Sequence, residues 1–369
     1  MANDRRERDE LRQQREQIDR EILTLLRQRA RLSRQVASRA TEPLKATLPS
    51  TERDTLEALA REGGDDLPAP AVLGVFRQIH AVCRSLEAPV RTAYVGAEGC
   101  GAYVVAFERF GPLAEMSACE LVSAALEHVD RGRADFAVLP YETSAEGLDH
   151  ASLMALGATE LKIVALHDVK TPLALLSQGG NLGAIERVFA TAIDRASAQH
   201  NLATLLPRVS VVDVKTSVAA CSMALEDPSA SALALEALGH RTGLAVAARS
   251  VADVGEGRQR FCIVAARPAS RTGRDATTIT FAVSDRPGQL FEVLKPFAER
   301  GVNVRTIQSR SPAREEQDTV FYIEVSGHVT DRAMVTALEG VKNQTRSFKL
   351  EGVKNQTRSF KVLGSYPVP

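Results

Sequence analysis

The sequence has no tryptophan, only five tyrosines and only five cysteines among its 369 residues. The cysteines are odd in number, lie far apart and lack the spacing of metal ligands: Cys83, Cys100, Cys119, Cys221 and Cys262. Disulfide frameworks and structural zinc sites need paired or closely spaced cysteines. We therefore expect reduced thiols in a cytoplasmic protein that carries no metal ion and no other cofactor.

The chain also lacks an excess of charge of either sign. Lysine and arginine number 46, and so do aspartate and glutamate, which gives no electrostatic reason to expect nucleic acid or a membrane surface as a partner. No apolar run is long enough to span a bilayer, and the charged first residues do not resemble a signal peptide. We expect partners to be small molecules and further copies of the chain.

Residues 1–88 have a helical pattern. Apolar residues recur at helical spacing between positions 8 and 40, and the proline-containing stretch TEPLKATLPS ends this first helix. A second helix is predicted from Thr51 and a third from Pro70 to about Leu86. Three helices form a small all-α unit, and so long a first helix favours pairing with another chain.

Residues 89–268 alternate short apolar runs with helix-like stretches. Runs such as RTAYVG, ADFAVLP and QRFCIVAA predict strands. Strands that alternate with helices indicate an α/β domain whose sheet is mainly parallel. Because a second series of strands begins near Arg187, we expect two lobes, the second covering roughly residues 187–250.

Residues 276–369 follow a polar linker, RPASRTGRD. Their predicted order is strand, helix, strand, strand, helix, strand, which is a ferredoxin-like α+β arrangement. The segment LEGVKNQTRSFK occurs twice in direct succession, at 338–349 and 350–361. Only one copy is needed for the last helix and strand, so we expect the other to bulge out or to extend the helix.

Three stretches resemble a known family. LRQQREQIDREILTLLRQRARLSRQVA is similar to an all-helical chorismate mutase. ADFAVLPYETSAEG, PGQLFEVLKPFAERGVNVRTIQSR and RSFKVLGSYP together resemble prephenate dehydratases, which have a two-lobed fold like periplasmic binding proteins, and their C-terminal ACT domain. The order is that of bifunctional enzymes of phenylalanine biosynthesis. It implies that chorismate is rearranged to prephenate, that prephenate becomes phenylpyruvate, and that L-phenylalanine is the feedback effector.

The mutase resemblance carries specific residues. The rearrangement of chorismate develops charge at an ether oxygen, so a mutase needs several fixed cations. The resemblance implies that Arg29 and an Arg12 from the partner subunit supply two of them. It also implies that Glu52 holds a substrate hydroxyl and that Glu87 contacts the ether oxygen. A solvated basic helix face is the alternative for the arginines. Three positions differ from the family: Ala40 replaces a lysine, Thr51 replaces an arginine and Cys83 replaces a serine.

The dehydratase resemblance centres on a Thr-Arg-Phe segment. Loss of the hydroxyl from prephenate requires a proton donor, and in the family the threonine has this role while the arginine binds substrate. Here the segment is Gln259, Arg260 and Phe261, so the hydroxyl is missing. The other positions implied as catalytic or substrate-binding are Glu142, Thr143, Thr216 and Ser217.

Two further segments depart from the family. The glycine-rich loop 96–102 lacks two hydroxyls because Cys100 and Ala102 stand in their place, and a Ser-His-Pro-Gln segment is replaced by residues 190–193. Purely structural roles are the alternatives for the positions that do match: a core position for Phe261, a helix cap for Thr216 and Ser217, and a solvated loop for Glu142.

The ACT resemblance places an effector site at a Pro-Gly turn. After Gly288 the first helix amides, those of Gln289 and Leu290, can hold a carboxylate. In the family this turn faces a segment of the neighbouring subunit, which implies Gln308 and Arg310 as effector contacts. Gln308 replaces a glutamate and removes a charge that faces an ammonium group.

Two functional hypotheses follow. The first is a working enzyme with one or both activities, assembled as a homodimer or a tetramer. The second is a repurposed or silent homologue that binds prephenate or an aromatic amino acid as a regulator, or decarboxylates prephenate without dehydration. A generic α/β binding protein is a third reading, which ignores both flanking domains. Formation of phenylpyruvate separates the first hypothesis from the second.

Overall fold

A computed structural model describes residues 2–39, 52–143, 147–170, 172–253, 258–283, 286–310, 319–344, 348–349, 357–358 and 360–368. The chain divides into two compact units, residues 1–90 with 108–115, and residues 91–107 with 116–369. No helix in these described ranges has both the length and the hydropathy needed to cross a membrane.

The N-terminal unit confirms the predicted all-α pattern. Its helices are α1 (Ala2–Arg39), α2 (Glu52–Glu62) and α3 (Ala69–Glu87). Pro70 lies in the first turn of α3, where a missing amide hydrogen breaks no helical hydrogen bond. The apolar stripe of α1 is exposed by 47% to 63% at Leu11, Ile18, Ile22, Leu25, Leu32 and Val36. Within the described part of one copy of the chain, this stripe is therefore left exposed.

The first lobe of the α/β unit is built on one mixed sheet. Its strands are β1 (Arg91–Val95), β2 (Glu115–Cys119), β3 (Phe136–Thr143), β4 (Gly147–Leu148), β5 (Lys162–Lys170) and β11 (Arg258–Ala265). The order is β2-β1-β3-β11-β5, and β4 pairs with β3. Strands β1 and β3 are parallel, whereas β11 is antiparallel to both of its neighbours. The helices are α4 (Gly101–Phe110), α5 (Val122–Asp130) and α6 (His150–Ala158).

The second lobe carries its own sheet, with the order β10-β6-β9-β7-β8. Its strands are β6 (Leu173–Ser177), β7 (Arg187–Ala190), β8 (Ser210–Asp213), β9 (Ala230–Leu235) and β10 (Ala245–Ala248). Its helices are α7 (Ala192–Ser197), α8 (Gln199–Leu205), α9 (Ser217–Glu226) and α10 (Glu236–Thr242). The sheet starts before Arg187, because the fully buried run LALLS is already a strand that pairs with β9.

Both lobes place their first parallel strand between the next two strands of the unit. In the first lobe β1 lies between β2 and β3, and in the second β7 lies between β8 and β9. Loops that leave the carboxyl ends of such strands diverge to opposite sides, and the crevice between them is the usual ligand site of α/β sheets. The loops after β1 and β7 are therefore the candidate ligand-binding loops of this fold.

The C-terminal domain has the predicted ferredoxin-like order. Its elements are β12 (Asp275–Val283), α11 (Gln289–Glu299), β13 (Val304–Arg310), β14 (Thr319–Ser326), α12 (Arg332–Gln344) and β17 (Phe360–Pro367). The sheet order is β13-β14-β12-β17. One face of the sheet is covered by α11 and α12, whose apolar sides share a core with it.

The two copies of the repeated segment contribute to different elements of secondary structure. Helix α12 ends in the first copy at Gln344, whereas β17 begins in the second copy at Phe360. Between them, the described residues form the short pair β15 (Phe348–Lys349) and β16 (Thr357–Arg358). The first copy thus completes the helix, and the second starts the final strand.

Strand β17 joins the C-terminal domain to the first lobe. Gly364 lies directly against the backbone of Ile163 in β5, where a side chain would not fit. Lys361 is only 4% exposed, and its ammonium donates hydrogen bonds to the carbonyls of Gly157 (2.8 Å), Leu156 (3.1 Å) and Thr159. These carbonyls belong to the C-terminal end of α6 and the residue after it, where a cation complements the helix dipole.

A chain of buried hydroxyls crosses the same junction. The Tyr141 hydroxyl of β3 shares a hydrogen bond with Thr278 of β12 (3.2 Å), and Thr278 shares one with Tyr366 (2.5 Å). Tyr366 donates to Glu324 (3.0 Å), which also pairs with Arg305 (2.8 Å). A buried polar network whose groups are all hydrogen-bonded favours one packing arrangement. This network therefore fixes how the C-terminal domain packs against the first lobe.

The role of the second copy can be tested by substituting equivalent lysines. Lys361→Met should lower the free energy of unfolding by about 2 kcal/mol, because it leaves helix-end carbonyls buried without their charged donor. Lys349→Met, the equivalent change in the first copy, should be nearly neutral. Urea unfolding of both variants measures the difference. Equal losses in the two variants would contradict the assignment of β17 to the second copy.

Candidate active site between the two lobes

The glycine-rich loop after β1 contacts both lobes. A Cβ built at Gly99, where φ is +93°, would lie 3.1 Å from Cβ of Ser217 in the second lobe. A Cβ built at Gly101 would clash with the ring of Phe261 and lie 3.0 Å from Oε1 of Gln259 in the first lobe. Glycine at both positions lets the backbone approach the two walls closely.

Strand β11 presents alternate residues to opposite sides of its sheet. Gln259 and Phe261 face the glycine-rich loop, as their proximity to Gly101 requires. Phe261 is buried, so it belongs to the core and to the cleft wall at once. Side chains alternate across a strand, and Arg260 accordingly points to the opposite face.

Arg260 lies on the side of the C-terminal domain. Its guanidinium donates to Glu142 (2.9 Å) and to Asp168 (2.8 Å). Arg260 and Glu142 border a small cavity that Thr306 and Glu324 of the C-terminal domain also line. Burial opposes the charge, but Asp168 and Glu142 outweigh it and raise the pKa of the Arg260 guanidinium. Glu142 and Arg260 are thus brought together, on the face opposite Gln259.

Thr216 and Ser217 lie at the start of α9, on the second-lobe wall. Thr216 caps the helix, because its hydroxyl accepts a hydrogen bond from the amide of Ala219 (3.1 Å). Ser217 donates its hydroxyl proton to Asp194 (3.0 Å). Thr143 is described only through its backbone, which pairs with Gln259.

Asp194 is a residue of this wall that the motif comparison missed. It follows β7, and its carboxylate accepts hydrogen bonds from both Thr191 (2.8 Å) and Ser217. Burial raises its pKa above the ordinary range of aspartate. Burial also raises the pKa of the Cys100 thiol, and the charge of Asp194 adds to the rise. The pattern Thr-x-x-Asp directly after a strand is a helix-start signal that places an acid at this edge.

A second missed cluster connects the lobes. Arg241 of α10 donates to the Tyr103 hydroxyl of α4 (2.9 Å), and its guanidinium stacks 3.7 Å from the ring centroid of Phe107. The Tyr103 hydroxyl donates in turn to Glu98 of the glycine-rich loop (3.3 Å). Stacking over an aromatic face stabilises a cation in this setting. No local signal reveals the pair, which is separated by 138 positions in the chain.

The described residues contain no candidate metal site. Across the residues that the structure describes, no three side chains of histidine, cysteine, aspartate or glutamate are grouped closely enough to hold an ion.

The helical unit brings together part of the predicted mutase set. Arg29 of α1 donates to the carbonyl of Ile79 (3.5 Å), and Ser33 donates to Glu87 (2.8 Å), so Arg29 and Glu87 both lie at the contact between α1 and α3. Cys83 is buried in α3. Ala40 and Thr51 lie outside the described residues, and Glu52 is described only as the first residue of α2.

Arg12 is separate from that group. It is exposed and pairs with Asp9 in the preceding turn (3.3 Å). With a rise of 1.5 Å per residue, Arg12 and Arg29 are about 25 Å apart along α1. One copy of the chain cannot place both arginines on one small substrate.

The predicted effector residues lie at two places in the C-terminal domain. Gly288 has φ +82° and caps α11, so the amides of Gln289 and Leu290 open the helix as expected. The Gln308 amide nitrogen lies 3.0 Å from the position of a Cβ built at Gly147, in the first lobe of the same chain. Its oxygen is buried without a hydrogen-bond partner among the described residues. Arg310 is described only as the end of β13.

Comparisons with known proteins agree with this three-part organisation. Family models match in order: chorismate mutase type II over residues 11–88, prephenate dehydratase over 92–269 and the ACT domain over 277–343. The bifunctional chorismate mutase/prephenate dehydratase of Aquifex aeolicus is 32% identical and covers 97% of each chain. The protein of the same name from Neisseria gonorrhoeae is 27% identical, over 95% of this chain and 94% of that one.

A solved structure is similar as well. The prephenate dehydratase of Arthrobacter aurescens in complex with L-Phe is 29% identical, with a TM-score of 0.58, over 76% of this chain and 90% of that one. The similarity to the Aquifex aeolicus protein extends over all three parts of the chain. This chain therefore belongs to the family of bifunctional chorismate mutase/prephenate dehydratases that end in an ACT domain.

Proposed function

We propose that the cleft between the two lobes converts prephenate to phenylpyruvate, carbon dioxide and water. The contact of one glycine-rich loop with both walls, through Gly99 and Gly101, carries this proposal. Gln259, Phe261 and Ser217 lie against this one loop, at the edge of two α/β sheets where ligands of this architecture bind. The scattered, unpaired cysteines are consistent with a cytoplasmic location, which stays a prediction.

The cleft supplies what the reaction needs from its walls. The buried ring of Phe261 packs against Gly101 and so supports the loop on which the substrate would lie. The helices α4 and α9 both begin at this edge, and their amide ends favour the negative charge of carboxylates. The Gln259 amide can donate a hydrogen bond to the leaving hydroxyl but is too weak an acid to protonate it.

We assign Arg260 and Glu142 a different role from substrate binding. Their ion pair lies on the opposite face of β11, beside Asp168 and residues of the ACT domain. From there Arg260 holds the strand that carries Gln259 and Phe261. It is a positioning residue that connects the ACT domain to the cleft.

A second candidate function follows from one observation. Gln259 replaces the family's threonine, and Cys100 replaces another hydroxyl of the cleft, which favours binding or decarboxylation of prephenate without loss of its hydroxyl. Product analysis separates the candidates, because decarboxylation alone consumes prephenate but forms no phenylpyruvate.

The dehydratase proposal predicts phenylpyruvate formation at neutral pH. Purified protein should exceed an uncatalysed control at the same pH, which is needed because acid alone converts prephenate. Gln259→Ala should lower kcat about tenfold, since one hydrogen bond to the reacting hydroxyl is lost. Gln199→Ala, at an exposed position of α8, is the matched control and should be silent. Loss of prephenate without phenylpyruvate would select the second candidate.

We further propose that the helical unit catalyses the rearrangement of chorismate within a dimer. The exposed stripe of α1 contains Leu11, Ile18, Leu25 and Leu32, which repeat every seven residues, the spacing of paired helices. A second copy on this stripe can bring its Arg12 to the Arg29 and Glu87 of the first. The distance of about 25 Å along one helix supports a site shared by two chains.

Complementation tests the shared site. Arg12→Ala and Arg29→Ala homodimers should each lose most of their mutase activity. Refolding the two variants together should restore about a quarter of the wild-type rate to the mixture. Half of the resulting dimers are mixed, and half of the sites in each mixed dimer are intact. No recovery would contradict a site shared between chains, and no chorismate consumption by the wild type would remove the mutase proposal.

We propose L-phenylalanine as the effector of the ACT domain. The amide of Leu290, in the first turn after Gly288, can bind a carboxylate, whereas that of Gln289 donates to the carbonyl of Arg286 (3.2 Å). Among the described residues nothing lies within 4 Å of a Cβ built at Gly288, so a ligand can approach the backbone there. Calorimetric titration with L-phenylalanine tests this assignment, and an absence of binding heat and of inhibition would remove it.

A further inference from the structure

Asp194 lies at the edge of the second-lobe sheet where the parallel strands end, and none of the roles proposed above uses its carboxyl group. Asp194 follows β7 directly, as the third residue of α7. Thr191 and Ser217 both donate their hydroxyl protons to Oδ2 of its carboxylate, at 2.8 and 3.0 Å. Within the described part of the chain, side-chain hydrogen bonds to this carboxylate go to that one oxygen. Oδ1 is left for another partner.

The position of Asp194 connects it to the cleft. Ser217, its hydrogen-bond donor, lies against Gly99, and Gln259 lies against Gly101. Two residues along a chain span at most about 7 Å between Cα atoms, so the two walls meet the same short piece of loop. A ring-sized substrate held there is close to Asp194 on one side and to Gln259 on the other.

The other hydrogen-bearing groups of this space are weaker proton donors. The Ser217 hydroxyl is engaged with Asp194, and the Thr216 hydroxyl accepts the amide of Ala219. The Cys100 thiol lies 3.5 Å from the carbonyl of Val95, as its donor. Hydroxyls and amides hold their protons at neutral pH, whereas a carboxylic acid releases its proton readily.

We propose that Asp194 is the proton donor of the dehydratase reaction, taking the place of the hydroxyl that Gln259 lacks. This inference rests on the proposed dehydratase function. As the bond to the ring carboxylate breaks, its electron pair completes the aromatic ring and the bond to the hydroxyl breaks. Asp194 transfers its proton to the departing hydroxyl, so that carbon dioxide and water leave. The carboxylate then recovers a proton from solvent.

The surroundings of Asp194 suit this role. Burial raises its pKa, while the hydrogen bonds from Thr191 and Ser217 lower it. The titratable groups that face it are the thiols of Cys100, from the glycine-rich loop, and Cys221, from α9. Burial raises both thiol pKa values, that of Cys221 to about 11, so both stay neutral through the neutral range.

The nearest charged neighbour on the same helix is already paired. Arg195 forms an ion pair with Asp213 at 3.3 Å. Asp194 is therefore the carboxyl group of this cluster whose pKa burial raises above its usual range. Because the donor acts in its protonated form, kcat should fall as the pH rises through the raised pKa of Asp194.

The test is the pH profile of phenylpyruvate formation by the full chain, corrected for the uncatalysed reaction. Asp194→Asn keeps an oxygen that accepts from Thr191 and Ser217 but cannot give up a proton. It should lower kcat by about 100-fold or more and flatten the profile. Asp227→Asn is the matched control, since Asp227 lies before β9 at the opposite edge of the same sheet, and it should keep the wild-type profile.

Two further variants keep the result clear. Asp194→Glu retains an acid and should retain a falling pH profile even if its rate is lower. Gln259→Thr, added to Asp194→Asn, should recover activity by restoring a hydroxyl donor. Wild-type kcat in Asp194→Asn, or a lower kcat with an unchanged profile, would overturn the inference and leave the dehydratase function standing. A wild-type chain that forms no phenylpyruvate would overturn both.

Discussion

The two-faced strand β11 is the constraint on which the rest of this structure depends. A strand alternates its side chains, so three consecutive residues cannot all enter one pocket. Gln259 and Phe261 therefore face the cleft, while Arg260 faces the ACT domain and pairs with Glu142 and Asp168. The same backbone thus forms part of the cleft wall and part of the domain junction.

This arrangement gives the ACT domain a direct mechanical connection to the cleft. Its sheet is joined to the first lobe by the hydroxyl chain from Tyr141 to Tyr366 and by the buried ammonium of Lys361. Gln308 reaches Gly147 of the short strand beside β3. Packed interfaces of this kind rearrange between discrete states rather than deforming smoothly. These contacts of the ACT domain end on β3 and on β4, the strand that pairs with β3.

Much of the architecture could be predicted from the sequence, because it depends on local patterns. Apolar spacing predicted the helices of the first unit, and short apolar runs between helices predicted the α/β domain. The predicted start of the second lobe, near Arg187, is too late, because β6 already belongs to the second sheet. An apolar run such as that of β6 does not indicate which of the two sheets it joins. The copy of the repeat that forms β17 could not be chosen, because the two copies are identical.

The site could be predicted only in part, for a related reason. A motif identifies Gln259, Arg260 and Phe261 together, but the strand separates them onto two faces, which the period of two would have indicated. Asp194 and Arg241 reach the cleft through contacts between distant parts of the chain, to Ser217 and to Tyr103. Such contacts depend on how the lobes meet, and the sequence of either lobe alone does not contain that information.

The most direct measurement is the effect of L-phenylalanine on prephenate turnover by Arg260→Gln, with thermal unfolding as a check on folding. If β11 separates regulation from substrate binding, the variant keeps its KM for prephenate within about threefold and loses most of its inhibition by L-phenylalanine. A large rise in KM with inhibition intact would show that Arg260 binds the substrate, and would contradict the division of β11 into two faces.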